Sequence, residues 1–587
     1  MKSKNKLKVI LSSVFFLILV IGAAYAYLGT FNINLNNNVA VNINSTSPGN
    51  LSFIANSTQL NIQVPDTSMT KYNANNNVAA KEDTGFVDIT LTGAEGFLTT
   101  CSYDLVYEYN TNSDIYGKTV PVTTDATKEI TIEVNGMNGN NHFATETNFN
   151  FDTSKGWSNA TSSTGAKVTL VTGATLKSLG TEQSVRWKVT GRYYNLDLNQ
   201  YALSGKSFTG KIYVENVNCS TKDGTTVKKG YETILANNGG KTAIEAKTAD
   251  FTTVETSNAG MFSYTEGTGK TYYYRGAVDN NWVKYGKFKA DQIVYRGFRD
   301  DTTNTDVWFD SVNNQANYID YPTLAECQTG VDYDSTYNYK CKEVVYANKG
   351  DDMYWRIIRV DKNNKIKMIY AGSKAPSENA KVAITGADTN MGFTAYNNKY
   401  DKAEYVGFQY TTGSQRGTNT NSTIKTYLDN WYTKYFNENI GTSRFVKTTF
   451  CNDRNTSRTW ASNGRDFEYA PYTRLSSSPP TPTFECNNAD VVTNNLGLIT
   501  EDEIVLAGGK IGTDNSAFYL NNNMAYWAGS PLVFIDSGSH VFGLDPFGSF
   551  LDGLVDSRNV AVRGVVSLSS ESKLLGSGKY NDVYTVN

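Results

Sequence analysis

The sequence predicts a mainly β protein, in which an N-terminal antiparallel β-sandwich precedes an α+β domain. Two observations favour this fold class. Apolar residues alternate with polar ones through much of the first two hundred residues, as in strands that bury one face. Aromatic residues make up 13% of the 587 residues and charged residues only 19%, a composition that suits β-sheets and argues against disorder.

The first element is an N-terminal leader, residues 1–27. Four lysines lie between Met1 and Lys8, and an apolar run follows from Val9 to Ala26, ending in Ala-Tyr-Ala. This order is typical of an export signal peptide. The run is also nearly long enough to cross a bilayer, so an uncleaved anchor formed by residues 9–26 stays open. We therefore expect an extracellular or cell-surface protein that contacts the membrane only through this segment.

The charge balance bears on partners. The formal net charge is −3, and it becomes −7 when the four leader lysines are removed. Phosphate backbones require a clustered basic surface. Nucleic acid is therefore not an expected partner.

The cysteines indicate disulfides. An even number of cysteines in an exported chain favours bonded pairs over free thiols, which are the alternative. Nearest-neighbour pairing gives Cys101–Cys219, Cys327–Cys341 and Cys451–Cys486. A metal site is not expected, because the C-x-x-C spacing is absent and the chain has only two histidines.

Residues 28–219 carry the β-sandwich signal. Val87, Ile89 and Leu91 alternate with polar residues, and later segments repeat the pattern between turns rich in Gly, Asn, Asp and Ser. Such short alternating strands predict an antiparallel sandwich. Residues 220–258 are polar and contain a Gly-Gly pair and two weak helical patches, which predicts a linker with a short helix.

Residues 259–587 mix strands and helices. The segment Tyr354–Gly372 alternates on both sides of an Asn-Asn turn, which predicts a hairpin. Asn421–Phe436 has helical apolar spacing with Ser422 as N-cap, and Thr500–Ala507 opens with a capping-box pattern. The combination predicts an α+β domain.

An ordered series of motifs closes the chain. It begins at Gly497 with GLITEDEIVLAGG, continues through FYLNN, WAGSP and VAVRGVVSL, and ends with GSGKYNDVYTVN. The series resembles a C-terminal domain of unassigned function found in surface proteins of gut-dwelling Firmicutes, whose pattern reads GLIT-x-DE, AGG, YL, W-x-x-SP, VRPV-x-L and G-x-G-x-x-x-x-PY. Gly564 and Val583 stand where that pattern has prolines.

The resemblance implies three things. That domain is distantly similar to the C-type-lectin and formylglycine-enzyme superfamily, so a lectin-like fold is expected for residues 259–587. Members of that family commonly have a shorter segment at this point of the chain. Compared with them, Asp291–Asp352 is an insertion. The copper-binding cysteines of formylglycine-generating enzymes have no counterpart after Cys486. The N-terminal region separately resembles, weakly, the β-sandwich surface proteins of the camelysin and TasA type.

Candidate catalytic and calcium groups are few. His540 lies near Asp536, Ser537 and Ser539, but neighbours along a strand point to alternate faces, which favours an exposed turn histidine over a triad. The acidic run Glu501–Glu503 lies in the first turn of a predicted helix. Negative side chains there are stabilised by the helix dipole, which favours a structural role over a catalytic one. The acidic stretch 300–310 lacks the EF-hand order, which favours a solvated loop over a calcium site. No catalytic residue, metal or cofactor is predicted.

The binding surface is predicted on the loops between Phe534 and Asn559, the segment between two motifs. Turns there could present aromatic side chains to a ligand. Trp527, a motif residue, is expected in the core. The candidate binding residues are Tyr526, Phe534, Phe542, Asp545, Phe547 and Phe550.

These features favour a non-catalytic surface or secreted adhesin that binds an extracellular glycan or protein. Two alternatives remain open. One is a structural subunit of a surface fibre or biofilm matrix, with Phe31–Asn44 as a candidate donor strand. The other is a glycan-modifying hydrolase, which requires two carboxylates facing a cleft. The sequence identifies neither the ligand nor the oligomeric state.

Overall fold

The fold is that of a computed structural model and is mainly β, as predicted. Several sheets are antiparallel, and one curls into a half-barrel. The chain forms two compact units, the first ending at Val227 and the second running from Lys228 to Val586. The structure describes residues 31–35, 42–43, 51–63, 81–93, 96–109, 130–136, 146–149, 167–193, 205–224, 227–299, 319–330, 339–437, 444–460, 466–486 and 490–587.

The described part of the first unit consists of two facing sheets. One has the strand order β1-β3-β5-β10-β7-β8, and the other has the order β2-β11-β6-β9 with β4 paired to β11. The strands are β1 (Phe31–Leu35), β2 (Asn42–Ile43), β3 (Leu51–Ala55), β4 (Thr58–Gln63), β5 (Lys81–Thr92), β6 (Phe97–Tyr109), β7 (Ile130–Gly136), β8 (Glu146–Phe149), β9 (Lys167–Ser178), β10 (Glu182–Tyr193) and β11 (Ser207–Asp223).

The core of the first unit lies between these sheets. Every second residue of β5 from Gly85 to Leu91 is buried, as the alternation predicts. The same core contains Leu105 of β6, on the other sheet. The Trp187 indole donates to the Tyr103 hydroxyl at 3.0 Å across the two sheets. The packing is that of a β-sandwich.

The candidate donor segment, Phe31–Asn44, supplies two strands to its own unit. Strand β1 pairs with β3 and β2 pairs with β11, and both pairings are parallel. The other strand pairs described in this unit are antiparallel. The segment therefore pairs with both sheets.

The predicted linker, 220–258, is divided between the two units. Strand β11 extends to Asp223, and residues from Lys228 onward belong to the second unit. Two short helices follow, and their residues Ile234, Leu235 and Ile244 are buried in the core of that unit. Because these apolar side chains are buried, the two helices are an ordered part of the second unit.

The second unit contains the remaining strands, β12 (Asn258–Glu266), β13 (Gly269–Gly276), β14 (Trp282–Phe288), β15 (Gln292–Arg299), β16 (Ile319–Tyr321), β17 (Tyr339–Ala347), β18 (Asp352–Val360), β19 (Ile366–Tyr370), β20 (Gln409–Tyr410), β21 (Thr420–Asn421), β22 (Phe436–Asn437), β23 (Thr448–Cys451), β24 (Phe467–Glu468), β25 (Val491–Asn494), β26 (Tyr526–Ile535), β27 (Gly538–Leu544), β28 (Phe550–Leu554), β29 (Val565–Leu568), β30 (Leu574–Leu575) and β31 (Tyr584–Val586). Its largest sheet has the order β12-β13-β18-β14-β31-β30, with β19, β22 and β29 joined at its side.

The helices of the second unit flank these sheets. They are α1 (Gly230–Asn237), α2 (Gly240–Glu245), α3 (Leu324–Gln328), α4 (Thr423–Tyr435), α5 (Ala470–Leu475) and α6 (Glu501–Leu506), with 3₁₀ turns at Glu378–Ala380, Ala387–Thr389 and Ala403–Val406. Both helices predicted in residues 259–587 are confirmed: Ser422 caps α4, and Thr500 and Glu503 form the capping box of α6. The expected hairpin is formed by β18 and β19. The C-type-lectin likeness stays a prediction.

Three disulfides are present: Cys101–Cys219, Cys327–Cys341 and Cys451–Cys486. These are the pairs that the sequence analysis predicts. Within the described ranges, no helix combines the length and the apolar character needed to cross a membrane. The leader, residues 1–27, lies outside those ranges.

Candidate functional site

A cavity of about 220 Å³ opens where α6 meets the β18–β19 hairpin. We call it the polar pocket, because polar and charged side chains form most of its wall. The disulfide Cys451–Cys486 also lines it and joins β23 to the segment that carries Phe484. Its lining includes the side chains of Arg359, Lys367, Arg474, Phe484, Asp502 and Glu503.

Glu503 is the centre of a buried charge cluster in this pocket. Its carboxylate accepts from the Lys367 ammonium at 2.6 and 2.9 Å and from the Arg359 guanidinium at 2.9 Å. The side chains of Glu503 and Lys367 are 2% and 5% exposed. The carboxylate also accepts from the Thr500 amide at 3.0 Å, which completes the capping box. One residue therefore caps α6 and joins it to the hairpin.

The environment of Glu503 determines its protonation. Burial alone would raise the pKa of the carboxyl, but the charges of Lys367 and Arg359 outweigh burial and lower the pKa to about 2. Burial lowers the pKa of Lys367 to about 8, and Glu503 opposes that shift. At neutral pH the pair is therefore ionised.

Arg474 joins two further carboxylates that line the pocket. It donates from Nε to Asp502 at 2.7 Å and from Nη1 to Asp453 at 2.6 Å. Burial raises the pKa of Asp502, and the bonds from Arg474 oppose that rise. The amide of Thr483 also donates to Asp502, at 3.0 Å. The guanidinium thus joins α5, α6 and the loop after Cys451.

Phe484 provides an aromatic surface at the pocket. Its ring is half-buried and packs edge-on against Tyr264 and Tyr273, with centroids 5.3 and 5.6 Å apart. The guanidinium of Arg359 lies 4.6 Å from the ring centroid. Aromatic rings beside hydrogen-bonding groups suit ligands with both an apolar and a polar face.

Glu501, the first residue of α6, does not line the polar pocket. It is fully buried, and burial raises its pKa well above the ordinary value, with the charge of Asp502 acting in the same direction. Its amide donates to the Ser530 hydroxyl at 2.9 Å. Glu501 therefore ties the GLIT-x-DE segment to the W-x-x-SP segment and offers no proton to a pocket ligand.

Three of the predicted binding residues have no accessible side chain. Tyr526, Phe534 and Phe542 are fully buried, because they lie on strands β26 and β27 with their side chains turned into the core. The guanidinium of Arg563 lies 5.0 Å from the Tyr526 ring, which places a second motif residue in the same interior. A ligand cannot contact these rings without unfolding the sheet.

The other three candidates lie on or beside the turn between β27 and β28. Asp545 is half-buried and accepts from the amides of Phe547 and Ser549 at 2.9 and 2.8 Å, so it shapes the turn. Phe550 is half-buried against Phe542. Phe547 is 64% exposed and is the one candidate of the six with a largely accessible side chain.

His540 does not form a triad with the serines near it. Its Nδ1 lies 2.7 Å from the Asp552 carboxylate on β28. Ser539 is buried on the opposite face and donates to the Lys402 carbonyl. Among the residues the structure describes, no group of three or more His, Cys, Asp or Glu side chains could hold a metal ion. The acidic stretch 300–310 lies outside them.

The charge cluster of the polar pocket is not evident from local sequence patterns. The helix dipole is a sufficient reason for an acidic run such as Glu501–Glu503, but here the three side chains are buried. A signal was present: Arg359 and Lys367 lie on two strands that are rich in apolar residues, and buried cations need anionic partners. Which carboxylate supplies that partner depends on tertiary contacts between segments far apart in sequence.

The motif departure Gly564 faces the flexible end of the Met391 side chain. A Cβ atom there would lie 2.7 Å from both Cε and Sδ of Met391 and 3.0 Å from Cδ2 of Leu496. The backbone still pairs as the motif segment requires, because the Gly564 carbonyl accepts from the Tyr370 amide at 2.9 Å.

Comparison with known proteins adds no relative: no family model matches the chain, and no curated protein matches it.

Proposed function

We propose that the protein is a non-catalytic surface or secreted adhesin whose polar pocket binds a neutral glycan. One observation supports this most directly. The buried charges of the pocket already pair with one another: Glu503 with Arg359 and Lys367, and Arg474 with Asp453 and Asp502. A ligand that brings its own charge would have to compete with those pairs. A ligand that brings hydroxyl groups could use their remaining donors and acceptors.

The location rests on the disulfides and on the leader. Disulfides persist in oxidising compartments, so the three bonded pairs support an extracellular protein. The resemblance of the motif series to a surface-protein domain points the same way. Binding is favoured over glycan hydrolysis because a hydrolase needs two carboxylates that face the scissile bond. Asp453 and Asp502 are instead both paired with the Arg474 guanidinium.

Phe484→Ala should weaken glycan binding by roughly tenfold, because the variant loses the pocket's aromatic surface. The measurement is the affinity of the purified full-length chain for neutral glycans that bind on an array, followed by titration. Phe547→Ala is the matched control, since Phe547 is an exposed ring that does not line the pocket. Melting curves establish that both variants are folded.

Two outcomes would contradict this proposal. If Phe547→Ala reduced binding and Phe484→Ala did not, the ligand surface would lie at the turn between β27 and β28. If wild-type protein bound no neutral glycan on the array, the ligand class would be wrong.

A fibre subunit is the second candidate, supported by the parallel pairing of β1 and β2. Parallel neighbours cannot be joined by a tight hairpin, so a strand from another copy could take the same register. Electron microscopy of purified full-length protein tests this directly. Filaments that disappear when residues 31–44 are deleted, in a variant whose second unit still melts normally, would favour it.

A further inference from the structure

A second cavity, of about 440 Å³, lies in the second unit, between the described part of the insertion and the main body. We call it the insertion pocket. Strand β16 and helix α3 form one wall, and residues before α4 and after β28 form the other. Its volume is in the range of cavities that hold small organic ligands. It shares no lining residue with the polar pocket.

The wall from the insertion is held in place by covalent and ionic links. The disulfide Cys327–Cys341 joins α3 to β17. Asp320 of β16 is fully buried and accepts two 2.7 Å bonds from the Arg296 guanidinium and one from the Tyr346 hydroxyl. The negative charge of Asp320 is therefore compensated within the protein, and the wall is preformed.

The opposite wall combines an aromatic ring with polar groups. Phe393 is buried apart from 5% of its surface and lines the cavity. Thr394 follows it, and its carbonyl is fixed by the Trp527 indole at 2.8 Å. Asn398 is exposed, and its backbone N–H donates to the Thr423 hydroxyl at 3.0 Å. These side chains could hydrogen-bond the hydroxyl groups of a sugar while Phe393 contacts the ring.

Arg558 provides a positive charge at this cavity. It is exposed and lines the pocket, and no described carboxylate oxygen lies within 4.0 Å of its guanidinium nitrogens. Glu326 also lines the cavity and is exposed, but it belongs to the wall formed by α3, whereas Arg558 belongs to the opposite wall. Thr423 begins α4 and lines the cavity as well, so the partial positive end of that helix adds to the field of Arg558.

We propose that the insertion pocket is a separate binding site for an acidic saccharide, with the sugar carboxylate on Arg558 and the ring against Phe393. A guanidinium can bind a carboxylate through two parallel hydrogen bonds, which neutral hydroxyls cannot match. The second unit would thus bind two kinds of ligand: an acidic saccharide in the insertion pocket and a neutral glycan in the polar pocket.

The test uses two probes that differ at one group, methyl β-D-glucuronide and methyl β-D-glucoside. Saturation-transfer NMR titrations on the full-length protein should show the glucuronide binding about tenfold or more tightly. Arg558→Gln should remove that difference. Arg458→Gln is the matched control, because Arg458 is also an exposed arginine of the second unit and lines neither pocket. It should leave both affinities unchanged.

Several results would overturn the assignment. They are equal affinity for the two probes, an effect of Arg458→Gln as large as that of Arg558→Gln, and failure of the glucuronide to bind at all. Inorganic phosphate is a further competitor: if it bound to Arg558 and the glucuronide did not, the site would be an anion site without saccharide selectivity. Phe484→Ala separates the two proposals, since it should not affect glucuronide binding.

Discussion

Glu503→Gln should lower the free energy of unfolding of the second unit by ~3–5 kcal/mol, the cost of breaking a buried ion pair by removing one partner. Glutamine at this position can still accept from the Thr500 amide, so the capping box remains. The loss of stability then measures the removal of the negative charge, because the positive groups of Lys367 and Arg359 stay in place without their anion. Urea titration followed by hydrogen exchange of β19 measures it.

The same variant should change the dependence of stability on pH. The pKa of Glu503 is lowered from 4.5 to about 2, so the folded state binds fewer protons than the unfolded state in that window. Its contribution is fully present above pH 4.5 and is lost as pH falls toward 2. The stability gap between wild type and Glu503→Gln should therefore narrow over that interval.

Two controls separate this effect from a general loss of packing. Glu485→Gln changes an exposed carboxylate of the same pocket and should alter stability by less than about 0.5 kcal/mol. Lys367→Met combined with Glu503→Gln should cost less than the sum of the single changes, because the two charges interact directly. Additive losses would show that the ion pair contributes no coupling energy.

The residues of this pocket show how far the sequence could lead. The capping box of α6 follows from residues three apart, and the sequence predicts it correctly. The contact of Glu503 with Lys367 joins residues separated by 136 positions. Local patterns contain no information about such contacts. The fold class could be predicted from the sequence because the alternation of apolar and polar residues is local. The site could not be predicted, since it is assembled from four elements that are distant in the sequence: β18, β19, α5 and α6.

The burial of the aromatic candidates on β26 and β27 could not be predicted for a related reason. Phe534, Phe542 and Phe547 lie in a similar glycine- and aspartate-containing context, but only the last lies in a turn. Strand residues bury alternate side chains, and the extension of β27 to Leu544 places Phe542 inside. A boundary error of a few residues is therefore enough to convert a core residue into an apparent surface residue.

In the first unit, replacement of Cys101 and Cys219 together by alanine should lower the free energy of unfolding by about 5 kcal/mol if the bond acts by restricting the entropy of the unfolded chain. The cysteines are separated by 118 residues, so their bond restricts about half of this unit, which runs from Met1 to Val227. They are directly paired across β6 and β11 and are both buried. Unfolding of the full-length protein, monitored by hydrogen exchange of β5 and β10, measures the change.

The bond Cys327–Cys341 provides the comparison within the same chain, because it closes a separation of only 14 residues. Loop entropy gives about 3 kcal/mol for a loop of that size. Alanine at both positions should therefore destabilise the second unit less than the Cys101–Cys219 replacement destabilises the first. If the two replacements had equal effects, loop entropy would not be the main source of the stabilisation, and packing of the buried sulfurs between β6 and β11 would have to account for it. An unchanged first unit would mean that the sandwich core, with its Trp187–Tyr103 bond, suffices without the covalent link.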